Sequence, residues 1–144
     1  MHDKEARIAE LRERMNNMIA KNGYFIQGVM NGEESFCYTI GRNDKGEKDF
    51  LLENFNQVLV KIVQEVVGID SKNLLTENTV YRSDILICKE TEEKTRYRVK
   101  RVDLRDYQTL VLGIFNRYVE SDLPNIQLWK IEVSGINNKF PEEL

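Results

Sequence analysis

The run Lys94-Thr95-Arg96-Tyr97-Arg98-Val99-Lys100-Arg101 is the most distinctive charged feature of the chain. Read as a strand, it puts Arg96, Arg98 and Lys100 on one face and Tyr97 and Val99 on the other. Three aligned cations hold a phosphate or carboxylate through forked hydrogen bonds. The plainer reading is a solvated sheet face, neutralised across its hairpin by Glu90, Glu92 and Glu93. A second grouping, Arg42-Asn43-Asp44-Lys45-Gly46, lies where an apolar strand ends, a place where loops often carry ligand contacts. An exposed loop without a ligand is the commoner case. The candidate ligand-binding residues are Tyr38, Thr39, Arg42, Asn43, Lys45, Arg96, Arg98 and Lys100. Cys37 is the candidate nucleophile, with Arg42 and Lys45 a short way along the chain to favour a thiolate. No base partner for it can be named, and a cysteine inside an apolar strand is more often a small hydrophobe.

Other chemistries are argued against. The only histidine is His2, at a terminus where chains fray, so Ser-His-Asp, Cys-His and histidine-metal chemistry lack their central residue. There is no P-loop and no Gly-x-Gly-x-x-Gly opening a helix. The two cysteines, Cys37 and Cys88, form no Cys-x-x-Cys pair, and acidic pairs at metal-ligand spacing are absent. No cofactor or metal is therefore expected, and catalysis is the less favoured reading. A formal net charge of −3 disfavours generic DNA binding but leaves room for a local anion site. Sparse cysteines, a charged helical N-terminus and the lack of a membrane-length apolar run fit a soluble cytoplasmic protein.

At 144 residues the chain is expected to form a single domain, residues 1–144. Ile8, Leu11, Met15 and Met18, spaced by three and four, predict an amphipathic helix within residues 1–22, closed by Asn22-Gly23. Tyr24–Met30 and Ser35–Ile40 read as a hairpin turned at Asn31-Gly32, with Phe36, Tyr38 and Ile40 on one face. Asp49 is placed to cap a buried helix over Phe50–Val67, with Glu53 near the capping-box position and Gly68 as its stop. Ile85–Lys89 and Thr95–Val102 form a second hairpin. A third helix is expected over Asp103–Glu120, where Gly113 weakens it or lets another backbone approach. Ile126–Val133 is a last strand, with Trp129 facing a core, and 137–144 is a polar tail. The expected fold is α+β, a largely antiparallel sheet of two hairpins plus a C-terminal strand against about three helices.

Phe36-x-Tyr38-Thr39-Ile40-Gly41, after a glycine-led strand, resembles the hallmark of a bacterial and phage domain-of-unknown-function family. Members share a Phe-x-Tyr-Thr-Val/Ile-Gly motif. Ile126-Gln127-Leu128-Trp129, followed by Lys139-Phe140-Pro141, is similar to that family's closing Leu-Gln-x-x-Trp-Pro-Asp and Gly-x-Phe-Pro-Trp pattern. Asp106-Tyr107 and Tyr118 fit its helix with a tyrosine pair. The chain departs from it at Lys45-Gly46-Glu47-Lys48-Asp49, where members have Gly-His-Pro-Glu, and after Trp129 and Pro141, where a Pro-Asp and a Trp are missing. A ligand site built on that His and Trp in relatives would be altered here. The resemblance implies a fold and a cellular class and carries over no activity.

The resulting expectation is a non-catalytic protein that binds a small anionic ligand such as a signalling nucleotide. It is expected to be a homo-oligomer with shared pockets, and in a phage it could sequester a signal of host defence. The alternatives are a protein-interaction module using the N-terminal helix or a sheet edge, and an enzyme built on Cys37 or a carboxylate.

Overall fold

A computed structural model describes residues 2–31, 34–54 and 56–144, and the side chains of all of these except 2, 31 and 34. The side chain of His2, the turn at Gly32 and residue Phe55, all used in the sequence reading, lie outside this set. The fold is α+β. Among the described residues six strands make one open sheet: β1 (Phe25–Asn31), β2 (Glu34–Ile40), β3 (Asp49–Glu53), β4 (Tyr81–Ile87), β5 (Lys94–Val102) and β6 (Leu128–Val133). Their order is β1-β2-β3-β6-β5-β4. Every neighbouring pair is antiparallel except β3 and β6, which run parallel at the centre with Phe50 beside Trp129.

Both faces are covered. On one, α2 (Val60–Ser71) sets Ile62, Val63, Val66 and Val67 against Cys37, Phe50, Leu52, Val99 and Ile131. On the other, Phe36, Tyr38, Ile40, Leu51 and Leu128 lie under Ile19 of α1 (His2–Asn22) and Ile114 of α3 (Leu112–Arg117). The strict alternation along β2 divides its side chains between these two cores as its sequence predicts.

The stretch from Asp49 corrects the sequence reading. The expected helix over Phe50–Val67, its Asp49 cap and its Glu53 capping box give way to β3, a break, and α2 starting at Val60. Phe50, Leu51 and Leu52 are each no more than 1% exposed, because a central strand buried on both faces has no polar side to alternate with. Such an apolar run fits either period, and the punctuation comes later. Asn54 takes φ +56°, and Asn56 caps the next turn by accepting from the amides of Val58 and Leu59 at 3.0 and 3.3 Å. Gly68 lies inside α2 and does not end it.

The helix expected over Asp103–Glu120 is three short pieces: a 3₁₀ turn at Leu104–Tyr107, α3, and a 3₁₀ turn at Glu120–Asn125 that holds Pro124. Gly113 explains why α3 sits so low on the sheet. A Cβ there would lie 2.7 Å from Ile40 Cδ1 and 2.8 Å from the Tyr38 hydroxyl, to which the Gly113 amide donates at 2.9 Å. The strand expected at Ile85–Lys89 runs instead from Tyr81 to Ile87. The segment 137–144 is no free polar tail: Asn138 and Phe140 are 3% and 1% exposed.

α1 is held at one end only. Ile19 packs on Gly41, whose φ of +105° and lack of a Cβ let the helix come within 2.8 Å of where that atom would stand. Every residue from 3 to 14 is exposed.

Candidate functional site

The proposed ligand residues fall into separate places. Leu128 pairs with Asp49 at one end of β6, whereas Ser134, just past its other end, receives the Arg96 amide. Six residues of strand separate them, about 20 Å. Thr39, Arg42 and Asn43 belong to the first end, and Arg96 and Arg98 to the second.

At the first end Asp49 is fully buried and four donors converge on it. Its Oδ1 accepts from Thr39 Oγ1 at 2.6 Å and the Arg42 amide at 3.2 Å. Its Oδ2 accepts from Asn43 Nδ2 at 2.7 Å and the Asn43 amide at 3.3 Å. Thr39 Oγ1 in turn accepts from the Phe50 amide at 2.9 Å. The Asn43 side chain also grips the segment leading into β6, donating to Gln127 O at 3.0 Å and accepting from the Gln127 amide at 2.9 Å. Burial pushes the Asp49 carboxyl up, and the hydrogen bonds from Thr39, Asn43 and Arg42 pull it back. No lone pair is left for a substrate, so this carboxylate ties the loop to the sheet.

Arg42 is consumed likewise. It is 3% exposed, its Nε donates to Lys48 O at 2.8 Å, and its Nη2 pairs with Asp70 and, at 3.1 Å, with Glu47. Lys48 Nζ lies 2.6 Å from Asp70 and 4.7 Å from the centre of the Trp129 ring. Lys45 stands exposed on the loop, and the neighbouring Asp44 is claimed by Arg117 and Tyr118. Tyr38 serves neither end; its hydroxyl is the acceptor under Gly113.

At the second end the alternation along β5 is as the sequence reading has it, with Tyr97 and Val99 2% and 1% exposed on the opposite face. The neutralising partners differ from Glu90, Glu92 and Glu93. Arg96 Nη1 lies 2.9 Å from Glu143, while Arg98 pairs with Glu132 and Glu142. The Phe140 ring lies beneath both guanidinium groups, 4.9 Å from that of Arg96 and 4.0 Å from that of Arg98. Asn138 fixes this segment, accepting from the Arg96 amide at 3.0 Å and donating to Lys94 O at 2.9 Å. Lys100 alone of the three cations is exposed, and it faces Lys130 across the β5–β6 pair. Three of these partners, Phe140, Glu142 and Glu143, stand together in the sequence as an aromatic and two acids, visible as residue types but not as pairings.

Cys37 is fully buried, and burial pushes its thiol up to about 12. It packs in the core beneath α2 and supplies no nucleophile. A cleft of about 820 Å³ opens near the far end of β6, with Glu53, Cys88, Lys130, Glu132 and Lys139 among its lining. Lys130 is 3.1 Å from Glu53, so its charges are largely balanced. Among the described residues no group of three or more His, Cys, Asp or Glu could hold a metal ion, and no helix is long and apolar enough to cross a membrane.

The site features thus define interlocked ion pairs on a sheet and one projecting helix. Comparison of the chain with protein-family models, with curated proteins and with solved structures gives no match.

Proposed function

We propose that the protein is a non-catalytic binding module that engages a protein partner through α1. The observation that carries this reading is the exposure of Ile8, Leu11 and Met18, at 44%, 56% and 40%, along a helix whose contacts with the body, at Met15, Asn16 and Ile19, lie in its second half. Most of a helix's stability in a protein comes from packing its amphipathic face, and an exposed apolar stripe is the face such a helix offers to a groove or to another helix. The arginines that would have recognised a small anion, Arg42, Arg96 and Arg98, are meanwhile engaged by the chain's own carboxylates.

The test is a photo-crosslinking residue placed at Leu11 in the producing cells, with the same residue at exposed Lys89 as control. A discrete adduct from Leu11 alone, lost with Ile8→Glu, supports the reading. No adduct, or the same adducts from both positions, refutes it.

A second reading, binding of a small anionic ligand such as a signalling nucleotide by a homo-oligomer, draws on the cluster of Arg96, Arg98 and Phe140. An aromatic ring under two guanidinium groups, with Glu142 and Glu143 on them, has the chemistry of an aromatic anion. Native mass spectrometry of freshly purified protein tests it, since a bound molecule would be released on denaturation. A sequestering, counter-defence role in a phage would follow only from such a ligand.

A further inference from the structure

We propose that the partner segment docked by α1 is an acidic amphipathic helix, seated along the exposed Ile8 and Leu11 between arginines, where the stripe runs free of the body before Met15 packs on the core. This rests on the reading of α1 as a docking helix. Ile8, Leu11, Met15 and Met18 recur at intervals of three, four and three, the spacing of a coiled-coil seam. At such a seam the residues on either side decide the partner by charge. From residue 7 to residue 21 those flanking positions are Arg7, Arg12, Arg14, Ile19 and Lys21, with no acid among them. Lys4 continues the line of the stripe, whereas Glu10 and Glu13 fall towards the back of the helix and Glu5 flanks only its first turn.

These cations are also idle. Arg42, Arg96, Arg98 and Arg117 are each paired with a carboxylate. Among the described residues no ion pair joins Arg7, Arg12 or Arg14 to one, and all three are exposed. A second copy of the chain is a poor occupant. In parallel pairing Arg7 meets Arg12, and in antiparallel pairing Arg12 and Arg14 each meet their own counterparts, so like charges face one another either way. Glutamates at the partner's flanking positions relieve the repulsion and add charge-assisted pairs over the 12 exposed residues of 3 to 14, about 18 Å of helix.

The experiment uses the full chain and two synthetic three-heptad helices with Ile and Leu in the seam, one carrying Glu at every flanking position and the other Lys. Affinity is read by fluorescence anisotropy and the contact surface by amide shift changes. The Glu peptide should bind at least roughly tenfold more tightly than the Lys peptide. That advantage should shrink between ~0.05 and ~0.5 M NaCl, as screening shortens the reach of the charges. Arg7→Glu/Arg12→Glu/Arg14→Glu should reverse the preference with the melting temperature unchanged, since all three side chains are exposed and, among the described residues, make no ion pair with the body. Equal binding of the two peptides overturns the acidic-partner inference but leaves α1 a docking helix. If neither binds, the acidic partner is overturned, and the reading of α1 falls with it only if the Leu11 crosslink also fails. Dimerisation abolished by Leu11→Glu, or tighter binding to phosphatidylglycerol vesicles than to the Glu peptide, also overturns it.

Discussion

Gly113→Ala sets two magnitudes against each other. Alanine in place of glycine favours a helix by up to about 1 kcal/mol, less near a terminus such as this one. On local preference alone the substitution would stabilise α3. The new methyl, however, would stand 2.8 Å from the Tyr38 hydroxyl and 2.7 Å from Ile40 Cδ1, and both side chains are themselves buried at 3% and 1% exposure. Relief requires α3 to lift from the sheet, lengthening the 2.9 Å hydrogen bond from the Gly113 amide to Tyr38, or Ile40 to leave its rotamer. Overpacking of this kind costs about 1–3 kcal/mol, so a net loss of about 1–2 kcal/mol is expected. Urea unfolding of wild type and variant measures it, and at this chain length each kcal/mol moves the melting temperature by about 2–4 °C. The decisive comparison is Gly113→Ala in the Tyr38→Phe/Ile40→Val background, which removes the hydroxyl oxygen and the δ-methyl. There the loss should vanish or turn into a small gain. A stabilised single variant, or the same loss in both backgrounds, would refute the close approach as its cause.

Asp49→Ala should cost more than about 3 kcal/mol in thermal or urea unfolding, because it strands several buried donors at about 1–3 kcal/mol each. Asp49→Asn should rescue little of this, since either orientation aims its amide at the donors of Arg42 or Asn43; near-wild-type stability of the Asn variant would contradict the described network. In the folded protein a thiol reagent should modify Cys88 and spare Cys37, which should react no faster than the protein unfolds; comparable rates would mean that the strand opens locally. Hydrogen bonds from Arg117 hold the Asp44 carboxyl below its usual value, so this contribution is complete above the unfolded carboxylate range and is lost as pH falls through the lowered folded value. Asp44→Asn should therefore flatten the decline in stability between about pH 5 and pH 2, and an unchanged slope would show that the pair adds nothing.

Much of the fold was legible where a periodic pattern met solvent on one side. The alternation of β2, the helical spacing of α1 and the punctuation at Asn22-Gly23 all describe surfaces with an inside and an outside. The pattern fell silent at Phe50-Leu51-Leu52, buried on both faces, and the helical and extended readings became equivalent there. The site was legible as residue types and not as pairings. Arg96 and Arg98 do share a face, but the carboxylates that satisfy them come from positions 132, 142 and 143, a separation that no local pattern reports. Preceding an apolar run, Asp49 reads as a helix cap, and only the return of Thr39 and Asn43 beside it makes it the anchor of a loop. The stripe of α1 was visible as apolar spacing. That it faces solvent depends on how much of the body lies beneath it.

The parallel pairing of β3 with β6 imposes an order of events. β6 fills the gap between β3 and β5, and its partners across those edges are separated from it by tens of residues. Until residue 133 has left the ribosome, a nascent chain holds two incomplete pieces: β1-β2-β3 with α2, and the β4–β5 hairpin. Each has an open edge of unpaired amides and carbonyls, and β3 also carries three consecutive apolar residues, Phe50, Leu51 and Leu52, that the finished fold buries. Closing the sheet then means inserting a late strand between two waiting edges, a slow, non-local step during which the halves are open to mispairing. The vulnerable interval in the life of this protein is therefore the one before β6 docks, and a substitution that weakens β6 pairing, such as Ile131→Asp, should raise aggregation during refolding from denaturant.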